Sequence, residues 1–220
     1  LKAYGKTTDL TAMGGAQYVH TFDKCFFMPS DLTAGLEYNR DRLKDNMWGY
    51  NRHTDQTVNI YSAFLQNEWK NDRWGILIGG RLDKHNMVDN VIFSPRANLR
   101  FNPTQNINLR LSYSSGFRAP QAFDEDMHIE NVGGTVAMIE RAKDLKEEKS
   151  QSFSVSADMY HRFGAFQTNL LIEGFYTRLT DVFVLGKPYD RGDGILVKTR
   201  SNGPGAKVMG LTLEGKVAYL

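Results

Sequence analysis

No run of eighteen apolar residues occurs anywhere in this chain. That excludes a membrane-spanning helix but not membrane-spanning strands, which alternate and leave no such run. Cysteine is nearly absent: Cys25 stands alone, so no internal disulfide forms, and the residue reads as a buried or turn position without a redox role. Excess charge is missing too. With 27 Lys and Arg against 25 Asp and Glu, the net charge is +2, too small to argue for nucleic acid. There is no heptad, internal repeat or low-complexity tract. Gly192, Gly194, Gly203 and Gly205 follow no strand-then-helix plan, so they make no phosphate cradle. His20, His53, His85 and His161 show no metal spacing. Neither a nucleophile elbow nor an ordered triad is visible. The expectation is a protein that is not an enzyme and carries no cofactor.

What the chain does have is alternation. Ile107, Leu109, Leu111 and Tyr113 fall on one face of a segment whose other face holds Asn106, Asn108, Arg110, Ser112 and Ser114, the period of two that a strand imposes. Trp74, Ile76, Ile78 and Leu82 oppose Arg73, Arg81 and Asp83 in the same way, and Ala97, Leu99 and Phe101 oppose Arg96, Asn98 and Arg100. About nine strands follow from this pattern, over 10–22, 32–44, 55–70, 73–84, 94–102, 106–117, 150–162 and 165–185, with a last one after 206. Most exceed the roughly ten residues that cross a bilayer. Short reversals at 71–72, 103–105 and 163–164 alternate with long connections at 45–54, 85–91, 118–149 and 186–207. One rim of short turns and one of long loops is the asymmetry of outer-membrane barrels. Trp69 and Trp74 flank one short turn, Phe101 precedes another, and Phe163 and Phe166 bracket the third, where an interfacial girdle would stand. Strand alternation alone leaves a soluble sandwich open, and rings at strand ends also suit hairpin pairs.

The strand 106–117 ends in Gly116, Phe117, Arg118, Ala119 and Pro120. This GFRAP block resembles the barrel motif of TonB-dependent outer-membrane transporters. Residues 144–150, DLKEEKS, are similar to the family segment that opens the next strand, with Glu147 where the family has proline. Glu37-Tyr38, 66–69 and 202–214 also resemble its barrel strands. The resemblance implies an all-β fold: an antiparallel up-and-down meander forming a segment of a 22-stranded outer-membrane β-barrel. It makes 1–220 a partial barrel domain, with the plug, the TonB box and the remaining strands outside it. Leu1 without a leader and Leu220 inside an alternating run fit a section of a longer exported protein. The implied function is active import, with TonB-type energy coupling, of a scarce large ligand such as a siderophore, cobalamin or another metal chelate. Outer-membrane lipid is the remaining partner. The alternatives are a passive porin-like channel and a soluble or surface β-sheet binding protein.

Candidate ligand residues follow from the same resemblance. Arg118 either positions the loop after the strand or faces an anionic ligand. His128, in the long connection after the motif, stands where haem transporters of this family place a loop histidine, and neutral imidazole suits an axial iron ligand. Ala142-Lys143-Asp144-Leu145 stands where those transporters have Asn-Pro-Asn-Leu. Read from chemistry alone, Asp124, Glu125 and Asp126 form an acidic triplet and Asp190 to Asp193 a second acidic turn. Both carry oxygen ligands of the calcium-holding kind, with solvated acidic loops as the alternative. Arg81, Arg96, Arg100 and Arg110, with Asn98, Asn106 and Asn108, line a hydrated interior. Open edges of long strands seek partners. In isolation the 220-residue chain is therefore expected to refold as a sheet paired edge to edge, as an oligomer, or not at all, and light scattering that reports a stable, monodisperse, water-soluble monomer would contradict this.

Overall fold

The computed structural model describes residues 4–122, 126, 130–132 and 135–219. In chain order the strands are β1 (Gly5–Cys25), β2 (Met28–Met47), β3 (Arg52–Lys70), β4 (Trp74–His85), β5 (Ile92–Thr104), β6 (Ile107–Arg118), β7 (Glu130–Val132), β8 (Thr135–Arg141), β9 (Glu148–Phe163), β10 (Phe166–Thr180), β11 (Phe183–Leu185), β12 (Tyr189–Asp190), β13 (Ile195–Asn202) and β14 (Ala206–Tyr219). Nine of them make one antiparallel sheet in the order β1-β2-β3-β4-β5-β6-β9-β10-β14. These are the nine strands that alternation predicts.

Register aligns the apolar positions across strands. Leu36 stands opposite Ala63, Ala63 opposite Leu82 and Leu82 opposite Phe93, and Leu111 stands opposite Val155. A soluble sandwich would bury this face. Here Leu36 is 65% exposed, Phe93 61% and Leu211 76%, while the buried apolar residues include Val58, Met138 and Val197 at one rim. No layer among the described residues covers the apolar face, so its solvent is lipid. Aromatic pairs bound it below and above. Near the short turns Phe27 stacks on Trp69 at 5.7 Å, Trp74 on Phe101 at 4.3 Å, and Phe166 meets Tyr219 at 5.3 Å. Higher up, Tyr38 meets Tyr61 at 4.9 Å and Tyr113 meets Phe153 at 4.8 Å. From Trp69 to Tyr61 the strand runs about 26 Å, which a tilt of about 40° reduces to a rise of about 20 Å, within an outer-membrane apolar band of about 25 Å.

The opposite face is polar and largely satisfied by its own neighbours. Arg81 reaches Glu37 at 2.6 Å and Asp83 at 2.8 Å, and also donates to the Ser62 hydroxyl. Ser112 and Ser154 bridge β6 and β9 at 2.5 Å. Arg110 donates to Asn108 and Arg100 to the carbonyls of Asn71 and Trp74, whereas Asn106 lies in the β5–β6 turn. The wall therefore neutralises Arg81 itself, without any outside carboxylate.

Three predicted connections differ. Residues 45–54 are not a long loop: β2 and β3 continue through them and reverse at Trp48–Tyr50 and Asn51, whose φ is 48°. Lys44 bonds Asp55 at 3.2 Å and Arg52 bonds Asp45 at 2.7 Å across the pair. Beyond the bilayer both faces meet water, so strand residues there are polar and read as loop. β10 stops at Thr180 and not at 185, because Asp181 takes a left-handed φ of 53° and turns the chain out of the sheet. The long connections 119–147 and 181–205 are themselves partly ordered. They contribute β7, β8 and β11–β13 to a second, five-stranded sheet, ordered β11-β13-β8-β7 with β12 beside β13, in which β8 and β13 run parallel. The all-antiparallel description thus holds for the wall alone.

Leu111→Arg in the full-length protein places a guanidinium in the middle of the lipid-facing band. We expect it to cost about 2–4 kcal/mol, read as a lowered urea midpoint in vesicles. Ser112→Arg on the polar face should cost far less.

Candidate functional site

The second sheet stands at the rim opposite the aromatic short turns, and a network of polar side chains seats it on the wall. The GFRAP exit is the first part of that seat. Ala119 is buried against Val88 and Ile92, with Phe117 beside them, and Gln121 N–H donates to the Ala119 carbonyl at 2.9 Å. Proline at 120 holds the preceding residue extended, so the chain leaves the wall in one direction. Two wall residues, Gln56 and His85, and Arg141 at the end of β8 then grip the exit. Gln56 accepts from the Ala122 N–H at 2.7 Å and from Arg141 at 2.9 Å. Arg141 also donates to the Pro120 carbonyl at 3.0 Å. His85, fully buried, accepts the Met87 N–H on Nδ1 at 3.0 Å, which leaves its proton on Nε2 facing the Gln121 side-chain oxygen at 3.2 Å.

A second set of charges joins β13 to the same place. Arg200 bonds Asp126 at 2.6 Å with both side chains buried, and Arg52 donates to the Asp126 carbonyl at 3.3 Å. Asp45, which accepts from Thr7 at 2.6 Å, holds the other end of Arg52. Burial pushes the Arg141 guanidinium down from its ordinary range, Asp126 opposes that shift and Arg200 adds to it. The group stays charged all the same, because a guanidinium does not lose its proton in a protein. The Asn202 side chain donates to the carbonyls of Lys146 and Asp181 and accepts from the Lys146 N–H, fastening the two long connections together.

Between this seat and β3 lies a cleft of about 680 Å³. Its basic lining is Arg52, Arg141, Lys143 and Arg191, with Asp126 and Glu140 as the carboxylates. Asp126 faces Arg200 in its ion pair, and Arg191 is held by Asp193, whose carboxyl the guanidinium keeps below the usual range. Lys143 is exposed. With Arg52, Arg191 and Arg200 each paired to an aspartate, Arg141 and Lys143 remain against Glu140, a small excess of positive charge suited to an anionic ligand.

The sequence candidates fall in different places. Gly116, Phe117, Arg118, Ala119 and Pro120 shape the exit, and Arg118 lies over the Phe183 ring at 5.5 Å, a contact between the wall and β11. Asp126 is buried in an ion pair, unlike a solvated acidic loop. Asp124 and His128 lie outside the described residues. Asp190 and Asp193 cap an exposed turn: Gly192 N–H donates to Asp190, and Gly192 and Gly194 take positive φ of 102° and 79°. No group of three or more potential metal ligands occurs among the described residues. Gln56, His85, Arg141 and Arg200 are the residues that sequence reasoning missed. Each is a single polar residue at a strand end, and nothing local in the sequence marks its partner 36 to 85 residues away.

Wall and cap together define a class, a section of a membrane β-barrel bearing a folded basic cap on its outer rim. The comparisons make the class specific. The family described as TonB dependent receptor-like, beta-barrel matches residues 2–220, and the chain belongs to that family of outer-membrane proteins. A probable hemoglobin and hemoglobin-haptoglobin-binding protein of Haemophilus influenzae is 23% identical over 91% of this chain, which spans 18% of that protein. Among solved structures, the siderophore receptor PirA from Pseudomonas aeruginosa superposes with a TM-score of 0.74 at 17% identity, over 96% of this chain and 39% of that one. The FrpB iron transporter from Neisseria meningitidis gives 0.67 at 16% identity, over 95% and 34%. The chain thus spans less than two fifths of each of these proteins.

Gln56→Ala removes the acceptor shared by Ala122 and Arg141. In the intact receptor the seat should loosen by about 1–3 kcal/mol. Trypsin applied to whole cells should then cut within 121–143 faster than in the parent, while the barrel keeps its folded mobility on unheated gels.

Proposed function

We propose that this chain is part of the wall and outer cap of a receptor that captures an iron-carrying ligand at the cell surface and imports it with TonB-coupled energy, without catalysis. The basic cleft carries the reading. It lies on the rim of long connections, which faces outward in such barrels, and it offers Lys143, with the Asp193-paired Arg191 beside it, to a ligand whose charge is negative, as that of many iron chelates is. The names of the relatives agree in theme: siderophore receptors, an iron transporter and a hemoglobin-binding protein. In this reading Gln56, Arg141 and Arg200 hold the cap in place, and the cap residues facing the cleft meet the ligand. The polar inner face, with Arg81, Glu37 and Asp83, gives a wetted path for the imported ligand.

The hemoglobin-binding relative supports haem as a second reading, in which the same cations would meet its carboxylates. Binding of ferric siderophores and of haem to whole cells separates the two. Lys143→Glu combined with Arg191→Glu should weaken capture of the anionic ligand about tenfold or more while the barrel inserts normally, since Lys143 is exposed and Arg191 touches the wall only through the Tyr50 carbonyl at 3.4 Å. Deleting 121–143 should abolish capture with insertion intact. A protonophore should stop uptake and spare surface binding; uptake that continues would make the protein a passive channel.

A further inference from the structure

The outward face of β1–β4 carries a surface that ligand capture does not use. Small residues on β1 leave a groove of about 550 Å³ between larger neighbours, lined by Gly14, Ala16, Leu36, Tyr61, Ala63 and Leu82, and almost wholly apolar. Its cause is register: Gly14 stands opposite Tyr38 and Ala16 opposite Leu36, while Ala63 sits between Leu36 and Leu82. A Cβ added at Gly14 would meet nothing within 4 Å. The groove ends above at the tyrosine pair Tyr38 and Tyr61, where Tyr38 donates to Asn59 at 2.9 Å.

Directly above it the same face of β2 turns basic. Arg40 is one side-chain repeat, about 7 Å, above Tyr38, and Arg42 one repeat higher. Both are exposed, and neither has a hydrogen bond or ion pair among the described residues. Their cross-strand neighbours are Ala12 and Asn59 for Arg40, and Leu10 and Thr57 for Arg42, so no carboxylate opposes either. The next carboxylate on this face, Asp55, is taken by Lys44. Two uncompensated guanidinium groups therefore stand at headgroup height over an apolar groove. We propose that this surface binds one anionic phospholipid of the outer leaflet, with an acyl chain in the groove and the negatively charged headgroup on Arg40 and Arg42. Guanidinium forks suit phosphate oxygens, and basic side chains at a membrane surface favour anionic headgroups. Tail and head are read by separate features, so each can be removed alone.

The test titrates the purified full-length receptor, in zwitterionic detergent, with phosphatidylglycerol and with phosphatidylcholine of the same chains, counting retained lipid by native mass spectrometry. The intact protein should prefer phosphatidylglycerol about tenfold or more. Arg40→Gln with Arg42→Gln should erase that preference, and Arg40→Lys with Arg42→Lys should keep most of it. Gly14→Leu, whose added Cβ meets nothing within 4 Å, should weaken both lipids alike. Excess inorganic phosphate should leave the lipid bound. The proposal fails if the receptor does not distinguish the two lipids, if the glutamine pair keeps the preference, if Gly14→Leu binds both lipids as before, or if inorganic phosphate displaces phosphatidylglycerol.

Discussion

A backbone that crosses a bilayer has no water to satisfy its N–H and C=O groups, and each one left unpaired costs several kcal/mol. Long antiparallel pairing meets that demand, and the rest of this chain is arranged around it. Once the strands pair, their side chains must alternate between lipid and an aqueous interior, which puts Leu36, Leu82, Leu111 and Leu211 outside and Arg81, Asp83, Ser112 and Ser154 inside. This inverts a soluble protein, whose apolar side chains leave water for a core. The few buried apolar residues here lie at the rim, where the cap meets the wall.

The cap obeys a different rule. Above the membrane both sides of the strands are wet, so the second sheet is placed less by apolar area than by directed polar contacts. Gln56 and Arg141 take the backbone of the GFRAP exit, His85 takes the Gln121 side chain, and Arg200 with Arg52 takes Asp126. The motif is thereby explained as architecture. Its alanine fits a small apolar nest, its proline sets the exit, and the carbonyls and amides after it are what the wall grips. Such contacts lose their worth when one partner is removed from a buried pair, which gives the cap a defined position on the wall.

Chemistry then divides along the height of the wall. The basic cleft lies on the cap, the inner face is polar and ion-paired, and the outer face meets lipid through two aromatic belts. Each level uses the same strands with a different set of side chains, which is why β2 carries Glu37 for the interior, Leu36 for lipid and Asp45 for the cap.

Wall strands were legible in the sequence because their pattern is local: side chains two residues apart share a face, and lipid on one side with water on the other repeats that contrast along every strand. Alternation therefore gave nine strands, the order of hairpins and the aromatic rim. It lost β2 and β3 above the membrane, where Lys44, Asp45, Arg52 and Asp55 pair with one another and the contrast vanishes. It also lost the five-stranded cap, whose short strands join residues far apart, as in the parallel pairing of Ile195 with Val136. Arg118 stayed ambiguous until Phe183 came to lie beneath it, and Asp126 looked like a solvated acid until Arg200 met it. The sequence by itself determined which side of each strand faces lipid, because that preference belongs to single residues. Only the tertiary structure decided which polar groups face one another at the rim, because a hydrogen bond or an ion pair has no value until its partner is in place.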